Sequence, residues 1–227
     1  MGDMLAVAID GPAGAGKSSV ARRVAEAKGW LFVDSGAMYR AFTLKALRLG
    51  VDLADADALA GALRDSALAF DASGTRIALD GEDVSAAIRD PKVTENIRHI
   101  ARIPALREIL VDRQRAIART RPVVMEGRDI GTAALPEAKW KFFLTAPVAE
   151  RARRRFDELA ATGRGVALED VVRDLAARDE ADFAVGPLKD ARDRALAGDG
   201  IAYLDTGGMG LEEAAAAVLS RIDGSNI

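Results

Sequence analysis

The chain has 227 residues, a formal net charge of −3 at pH 7 and no cysteine. This length can bury a sizeable core in one α/β domain with inserts, and the lack of cysteine excludes disulfides and thiolate chemistry. The slightly acidic balance argues against a nucleic-acid partner. No apolar run approaches the roughly 20 residues that span a membrane, and residues 1–5 lack the basic start of a secretory signal. We therefore expect a cytoplasmic protein that binds neither nucleic acid nor membrane.

Strand and helix patterns alternate along most of the chain. Short apolar runs, typical of strands buried on both faces, occur at 5–9, 30–33, 123–125, 140–145 and 201–204. Helical patterns are found at 16–28, 38–49, 147–160, 168–183 and 211–222. This alternation predicts an α/β fold in which helices cross over between the strands of a parallel sheet.

One segment breaks the alternation. Short strand patterns around two turn signals predict a small antiparallel sheet at 67–84. The turn signals are Ser73-Gly74 and Asp80-Gly81. Two helices are predicted to follow, at 93–101 and 105–120. We interpret residues 35–120, which include this segment, as a lobe inserted into a core. The core then comprises residues 1–34 and 121–227.

The strongest motif is a glycine-rich loop between the first strand and the first helix. It matches G-x-x-x-x-G-K-[ST] at every fixed position and consists of Gly11, Pro12, Ala13, Gly14, Ala15, Gly16, Lys17 and Ser18. Its backbone N–H groups and the helix N-terminus would wrap a phosphate. Lys17 would reach the β- and γ-phosphates of ATP, and the Ser18 hydroxyl would bind Mg²⁺. The motif therefore predicts ATP and Mg²⁺ as ligands.

The rest of the sequence favours a kinase over other proteins with this loop. The Asn-Lys-x-Asp segment of a GTPase is missing from the sequence. The apolar run that ends at Glu126 resembles the acidic strand end of motor and transporter ATPases. However, Gly127-Arg128-Asp129 follows at once, and its opposite charges suit a second anionic ligand with hydrogen-bonding edges. These residues predict phosphoryl transfer to a small acceptor.

With these motifs the chain resembles the bacterial cytidylate kinases, a branch of the nucleoside monophosphate kinases, from about residue 4 to 222. Besides the loop with Ser19, the resemblance rests on 34–40 (DSGAMYR), 80–84 (DGEDV), 126–132 (EGRDIGT), 141–146 (KFFLTA) and 178–180 (RDE). It implies a P-loop three-layer α/β/α core with a five-stranded parallel sheet, an acceptor-binding lobe and a short helical lid at about 155–188. It also implies ATP-dependent phosphorylation of CMP, and of dCMP, in pyrimidine nucleotide metabolism.

The resemblance further implies roles for individual residues. The acceptor site would comprise Ser35, Tyr39, Arg40, Arg107, Arg128, Asp129, Arg178 and Asp182. Within it, Asp129 would accept from the exocyclic amine of cytosine, and Arg107 would face the base's other hydrogen-bonding edge. The catalytic cations would be Lys17, Arg40, Arg128 and Arg178. Because the acceptor phosphate is already mostly a dianion at pH 7, the reaction needs aligned cations rather than a general base.

On the ATP side, the resemblance implies contacts from Ser19, Arg151 and Arg155. The two arginines fall on one helix face at i, i+4, and one would meet the adenine while the other lies near the phosphates. The intervening Arg153 and Arg154 are expected to be solvated. Asp34, at a predicted strand end, would hold a water on Mg²⁺.

Two departures from the family pattern concern the acceptor. The family carries a serine nine residues before the base-facing arginine, whereas this chain has Arg98 there. The family also has an arginine a few residues after Asp182; here it is missing, and Arg192 or Arg194 could substitute. These departures leave dCMP and UMP open as acceptors beside CMP. An internal salt bridge with Arg128 is a second interpretation of Asp129.

Two other functions stay open. One is a P-loop kinase for another small acceptor, such as UMP. The other is a nucleotide-binding regulatory module that has lost turnover, which predicts damage to the loop lysine or the acceptor arginines, whereas Lys17, Arg40 and Arg128 are all present. No exposed heptad or apolar stripe indicates an oligomer. We therefore expect a monomer whose partners are ATP and the acceptor nucleotide.

Overall fold

The computed structural model describes residues 4–161, 165–184 and 186–224. Four short stretches lie outside the described residues, namely 1–3, 162–164, 185 and 225–227. Residues 1–3 belong to the start of the chain, where no secretory signal is expected. Residues 162–164 and 185 belong to the predicted lid, and residues 225–227 to the predicted core. The predictions for these residues stay predictions. Within the described residues, no helix is long and apolar enough to cross a membrane.

The strands build two separate sheets. In chain order they are β1 (Ala6–Asp10), β2 (Leu31–Asp34), β3 (Leu68–Phe70), β4 (Ile77–Leu79), β5 (Glu82–Asp83), β6 (Val123–Gly127), β7 (Trp140–Thr145) and β8 (Ala202–Asp205). Within the described residues, five of them form a parallel sheet in the order β2-β6-β1-β7-β8. The predicted five-stranded parallel sheet is therefore confirmed.

Helices cover both faces of this sheet. They are α1 (Lys17–Lys28), α2 (Ser35–Leu49), α3 (Ala56–Arg64), α4 (Pro91–Ala101), α5 (Pro104–Thr120), α6 (Val148–Ala161), α7 (Leu168–Ala184), α8 (Pro187–Leu196) and α9 (Leu211–Asp223). Successive side chains of the central strand β1 point to opposite faces. Ala6 and Ala8 join the apolar cluster that includes α2 and α5, whereas Val7 and Ile9 join the one that includes α1 and α9. The predicted three layers follow from this alternation.

Capping aspartates decide where helices of the inserted segment begin, as Asp34 and Asp55 illustrate. The Asp34 carboxylate accepts from the backbone N–H of Ala37 at 2.9 Å, so α2 begins at residue 35 rather than at the predicted residue 38. The Asp55 carboxylate caps α3 in the same way, through the N–H of Ala58. Sequence patterning did not predict α3, and it also missed α8.

The second sheet is the small antiparallel one that the turn signals predict. Within the described residues it contains β3, β4 and β5 in that order, and its pairs are antiparallel. Asp80 and Gly81 form the two-residue turn between β4 and β5, with φ angles of 51° and 86°. A hairpin turn of this kind needs positive φ at both central residues, which Asp-Gly tolerates. The antiparallel meander is therefore confirmed.

The loop between β3 and β4 lies directly against the edge of the parallel sheet. Gly74, in this loop, has a φ of 77°. A Cβ atom there would lie only 1.7 Å from the carbonyl oxygen of Phe32, in the edge strand β2. Only glycine permits both the backbone conformation and this approach. The small sheet is thus anchored to the parallel sheet by a backbone contact.

We predict that Gly74→Ala lowers the free energy of unfolding by about 3 kcal/mol or more, because a left-handed alanine is strained and its methyl group would displace the loop from Phe32. Gly81→Ala is the matched control: its φ is also positive, but the described residues leave open space where the methyl group would lie. It should cost only about 1–2 kcal/mol. Chemical denaturation measures both, and equal losses would contradict the close contact.

Candidate active site

The glycine-rich loop joins β1 to α1 at the carboxyl end of the parallel sheet. Gly11 has a φ of 153°, and a Cβ there would lie 2.0 Å from the carbonyl oxygen of Leu144 in β7. Gly16 precedes α1 with a φ of 80°, and no side chain within the described residues caps this helix. The first N–H groups of α1 are therefore available to an anion. The loop has the geometry that the motif predicts.

Lys17 lies buried in this loop. Its Nζ donates to the carbonyl oxygen of Pro12 at 2.9 Å. Burial, followed by the nearby charge of Arg128, lowers the pKa of Lys17 to about 8, against the opposing effect of Glu126 and Asp10. A buried ammonium group that is poorly compensated gains most from an incoming phosphate anion. This environment fits the predicted phosphate contact.

Carboxylates gather at the ends of the neighbouring strands. Asp34 and Glu126 are register partners in β2 and β6. Glu126 accepts from the Ser18 hydroxyl at 2.7 Å, and its pKa is raised by burial and then by the charge of Asp34. Sequence reasoning set Glu126 aside, although an acidic residue at the end of an apolar run two places before Arg128 was a usable signal. The structure adds it to the candidate site.

The two residues expected to read the acceptor base lie together, near a third residue that was expected in the acceptor site. Arg107, on α5, forms an ion pair with Asp129, just after β6. Tyr39, on α2, lies within electrostatic range of both, and burial raises its pKa to about 12. These three residues come from three separate elements. They form one polar cluster with an acceptor and a cationic donor side by side.

Arg128 does not pair with Asp129, so that second interpretation of Asp129 is wrong. The Arg128 guanidinium donates from Nη1 to the carbonyl oxygen of Gly11 at 2.7 Å. Its Nε lies 3.3 Å from a carboxylate oxygen of Asp182, on α7. Asp129 faces Arg107 instead. Arg128 therefore links the phosphate loop, the end of β6 and α7.

The N-terminus of α2 packs tightly on the end of β6. Ser35 is buried, and a Cβ at Gly127 would lie 2.5 Å from its hydroxyl oxygen. Arg40 pairs with Asp34 at 2.8 Å. Its Nε is buried without a hydrogen-bond partner among the described residues. A buried donor without a hydrogen-bond partner calls for an explanation. The phosphate group of the predicted acceptor nucleotide would supply that partner.

Arg151 and Arg155 occupy different environments. Arg151 is only 3% exposed. Its guanidinium donates to the carbonyl oxygens of Ala13 and Ala146, both at 2.8 Å, and pairs with Asp179 on α7. Arg155 is exposed and pairs with Glu158 on its own helix. Arg151 therefore clamps the phosphate loop, whereas Arg155 lies at the surface, and the expected ATP contacts of both stay predictions.

The expectation that the Arg154 side chain is solvated is wrong. Its Nη2 donates to the carbonyl oxygen of Thr206 at 2.7 Å, in the loop after β8. A Cβ at Gly16 would lie 3.8 Å from its Nη1. The side chain thus lies beside the start of α1. The pattern of charges along α6 gives no signal for this, because the partner is 52 positions away.

The remaining predicted residues lie at the surface. Ser19 follows Ser18 on the first turn of α1, and both are exposed. Arg178 is exposed on α7, and Arg98 is exposed on α4. Arg192 and Arg194, the two candidates for the missing arginine, are engaged elsewhere. Arg192 stacks over Phe183 and pairs with Asp193, and Arg194 pairs with Asp199.

A phosphate loop follows the first strand of the parallel sheet, and buried and half-buried arginines surround this loop. These features define the class of P-loop nucleotide-binding kinases. The comparison with known proteins makes the assignment specific. The sequence model of the family described as "Cytidylate kinase" matches residues 7–223. The chain belongs to the cytidylate kinase family.

Three relatives illustrate the similarity. The "Cytidylate kinase" of Pelotomaculum thermopropionicum is 48% identical over 221 residues, with 95% of each chain covered. That of Desulforamulus reducens is 44% identical, with 96% of each chain covered. That of Desulfitobacterium hafniense is 47% identical and covers 95% of this chain and 91% of its own. The similarity therefore extends over nearly the whole chain.

We predict that Arg151→Ala lowers the free energy of unfolding by about 3 kcal/mol. The change breaks the buried ion pair with Asp179 and leaves two carbonyl oxygens without their hydrogen-bond donor. Arg155→Ala, on the exposed face of the same helix, should change stability by no more than about 0.5 kcal/mol. Chemical denaturation compares them. A rise in KM for MgATP with Arg155→Ala would support the expected ATP contact of that residue.

Proposed function

We propose that the protein transfers the γ-phosphoryl group of ATP to CMP, which gives CDP and ADP, and that dCMP is a second acceptor. Family membership supports this reaction. The observation that carries it is the hydrogen bond from Arg128 to Gly11, because it joins the acceptor-side segment to the phosphate loop. Two anionic substrates bound on either side of this contact would meet end to end.

The cluster of Arg107, Asp129 and Tyr39 supports cytosine as the base. Cytosine presents an amine donor beside ring acceptors. A carboxylate next to a guanidinium offers the complementary acceptor and donor. Uracil would place a carbonyl oxygen against the carboxylate, which is repulsive. The base is the same in dCMP, so this cluster reads the base and leaves the sugar unread.

The proposed chemistry uses cations and no general base. The acceptor phosphate is mostly a dianion at pH 7, so its oxygen attacks without losing a proton. Lys17, Arg40, Arg128 and Arg178 would neutralise the charge that spreads over the transferring group. The poorly compensated ammonium of Lys17 and the unpartnered Nε of Arg40 support this assignment.

Oxygen donors suited to Mg²⁺ lie beside the phosphate loop. The Ser18 hydroxyl and the Glu126 carboxylate are hydrogen-bonded to each other, with Asp34 next to Glu126 in the sheet. Within the described residues no group of three or more His, Cys, Asp or Glu could hold a metal alone, and Mg²⁺ usually needs only one or two carboxylates besides substrate phosphates. We assign it to Ser18, with Asp34 through a water and Glu126 nearby. Bound there, Mg²⁺ neutralises charge on the ATP phosphates.

The domain roles complete the proposal. Ser35, Tyr39, Arg40 and Arg107 all come from residues 35–120, which supports this segment as the acceptor-binding lobe. Residues 155–188 form the proposed lid, and the pairs that α7 makes with Arg128 and Arg151 support its closing over the loop. We further propose a cytoplasmic monomer.

The test of the reaction is ADP release from MgATP with CMP, dCMP, UMP, AMP, GMP and shikimate in turn. Turnover with CMP and dCMP alone is the expected result. Turnover with a different acceptor would keep the phosphotransferase chemistry and refute the cytosine assignment. No ADP release with any acceptor would refute catalysis and leave a nucleotide-binding module as the function.

Two variants separate base recognition from phosphate binding. Asp129→Ala should lower the preference for CMP over UMP, as a ratio of kcat/KM, by about 10- to 100-fold, because one base contact is worth about 1–3 kcal/mol. Its KM for MgATP should hardly change. Lys17→Ala should instead reduce kcat by about 10²-fold or more with every acceptor. An equal loss of ATP affinity in Asp129→Ala would show that Asp129 does not read the base.

A further inference from the structure

Asp10, the last residue of β1, is a buried carboxylate for which the proposed reaction has no use. It is 1% exposed. Its two oxygens accept from two successive backbone N–H groups, those of Ile130 and Gly131, each at 2.8 Å. Burial raises the pKa of Asp10 to about 7, although these N–H groups oppose the shift. A buried carboxylate is costly, so its place at the phosphate loop needs a reason.

The two N–H groups that Asp10 binds begin a single π-helical turn, Ile130–Ala134. Opening N–H groups of a helical turn need an acceptor, and the residue just before the turn usually provides one from its own side chain. Here that residue is Asp129, and within the described residues its side chain makes no such bond. Asp129 pairs with Arg107 instead. The cap comes from another strand, which leaves the Asp129 carboxylate free to face the acceptor base.

The same end of β1 also holds the residue on the other side of Asp129. Arg128 donates to the carbonyl oxygen of Gly11, the neighbour of Asp10. The segment that carries Asp129 is therefore fastened on both flanks to two successive residues that open the phosphate loop. Its distance from the loop is set by these contacts.

We infer that Asp10 is a positioning residue for base recognition: by capping the turn at Ile130 and Gly131 in place of Asp129, it presents the Asp129 carboxylate to the acceptor base. This inference rests on the proposed function for the identity of the base. Asparagine cannot replace aspartate here, because its amide group would set an N–H donor against one of the two backbone N–H groups. The side chain must accept at both oxygens.

The experiment compares Asp10→Asn with the wild type by the ratio of kcat/KM for CMP to that for UMP. A ratio of two acceptors cancels any change on the ATP side. We expect the ratio to fall about tenfold, while KM for MgATP changes by less than about threefold. Asp55→Ala, which removes the cap of α3 and none of the contacts of Asp10 or Asp129, is the matched control. It should lower stability and leave the ratio unchanged.

A double-mutant cycle with Asp129→Ala shows whether Asp10 acts through Asp129. In the Asp129→Ala background, Asp10→Asn should lower the ratio no further. A further fall of the same size, or an unchanged ratio in Asp10→Asn alone, would overturn the inference. If the wild type prefers another acceptor, the proposed function fails by that result alone, and the ratio is taken between its best and second-best acceptors.

Amide hydrogen exchange gives a readout that needs no turnover. Asp10→Asn should speed exchange at Ile130 or Gly131, because one of the two N–H groups loses its acceptor oxygen, and Asp55→Ala should not. Unchanged protection at both amides would show that the two hydrogen bonds do not hold the turn, and this would also overturn the inference.

Discussion

Three successive carbonyl oxygens of the phosphate loop, those of Gly11, Pro12 and Ala13, each accept a hydrogen bond from a cation. The donors are Arg128 from the end of β6, Lys17 from α1 and Arg151 from α6. Elements far apart in the chain therefore meet at one short stretch of backbone. The glycines make this possible, since a side chain at Gly11 would collide with β7. The arrangement of the candidate site depends on this stretch.

Two of these cations, Arg128 and Arg151, connect the loop to α7 through two carboxylates. Arg151 pairs with Asp179 and Arg128 pairs with Asp182, and these aspartates lie three positions apart on the helix. Positions i and i+3 share a helix face, so α7 contacts the loop at two points at once. Displacement of α7 would break both pairs together. The position of the proposed lid is thus coupled to the loop that would hold ATP.

Local patterns predicted the features that depend on neighbouring residues. The five core strands, the loop motif and the Asp80-Gly81 turn are readable because each is encoded within a few positions. Helix starts were less readable: α2 begins earlier than predicted because Asp34 caps it. The grouping of Tyr39, Arg107 and Asp129 was available only through the family resemblance, which supplied contacts that no periodicity encodes.

The features that sequence reasoning missed depend on distant partners. Glu126 accepts from Ser18, which is 108 positions away, and Asp10 binds N–H groups about 120 positions away. Glu126 and Asp10 each end an apolar run, so in the sequence both look like ordinary strand ends. Only the pairing of β1 with β6 brings each carboxylate next to the loop that follows the other strand. For Arg151, the family resemblance implied a contact with ATP, but no local pattern indicated its burial or its hydrogen bond to Ala13.

The contact between Gly74 and Phe32 has a consequence for association with other chains. β2 is one of the two outer strands of the parallel sheet, and an open strand edge is a template for pairing with a strand of a neighbouring molecule. The loop that carries Gly74 lies over the middle of this edge, with its backbone against Phe32. The inserted segment therefore shields this edge of the sheet from intermolecular β-pairing, and a version shortened at this loop would expose a site for aggregation.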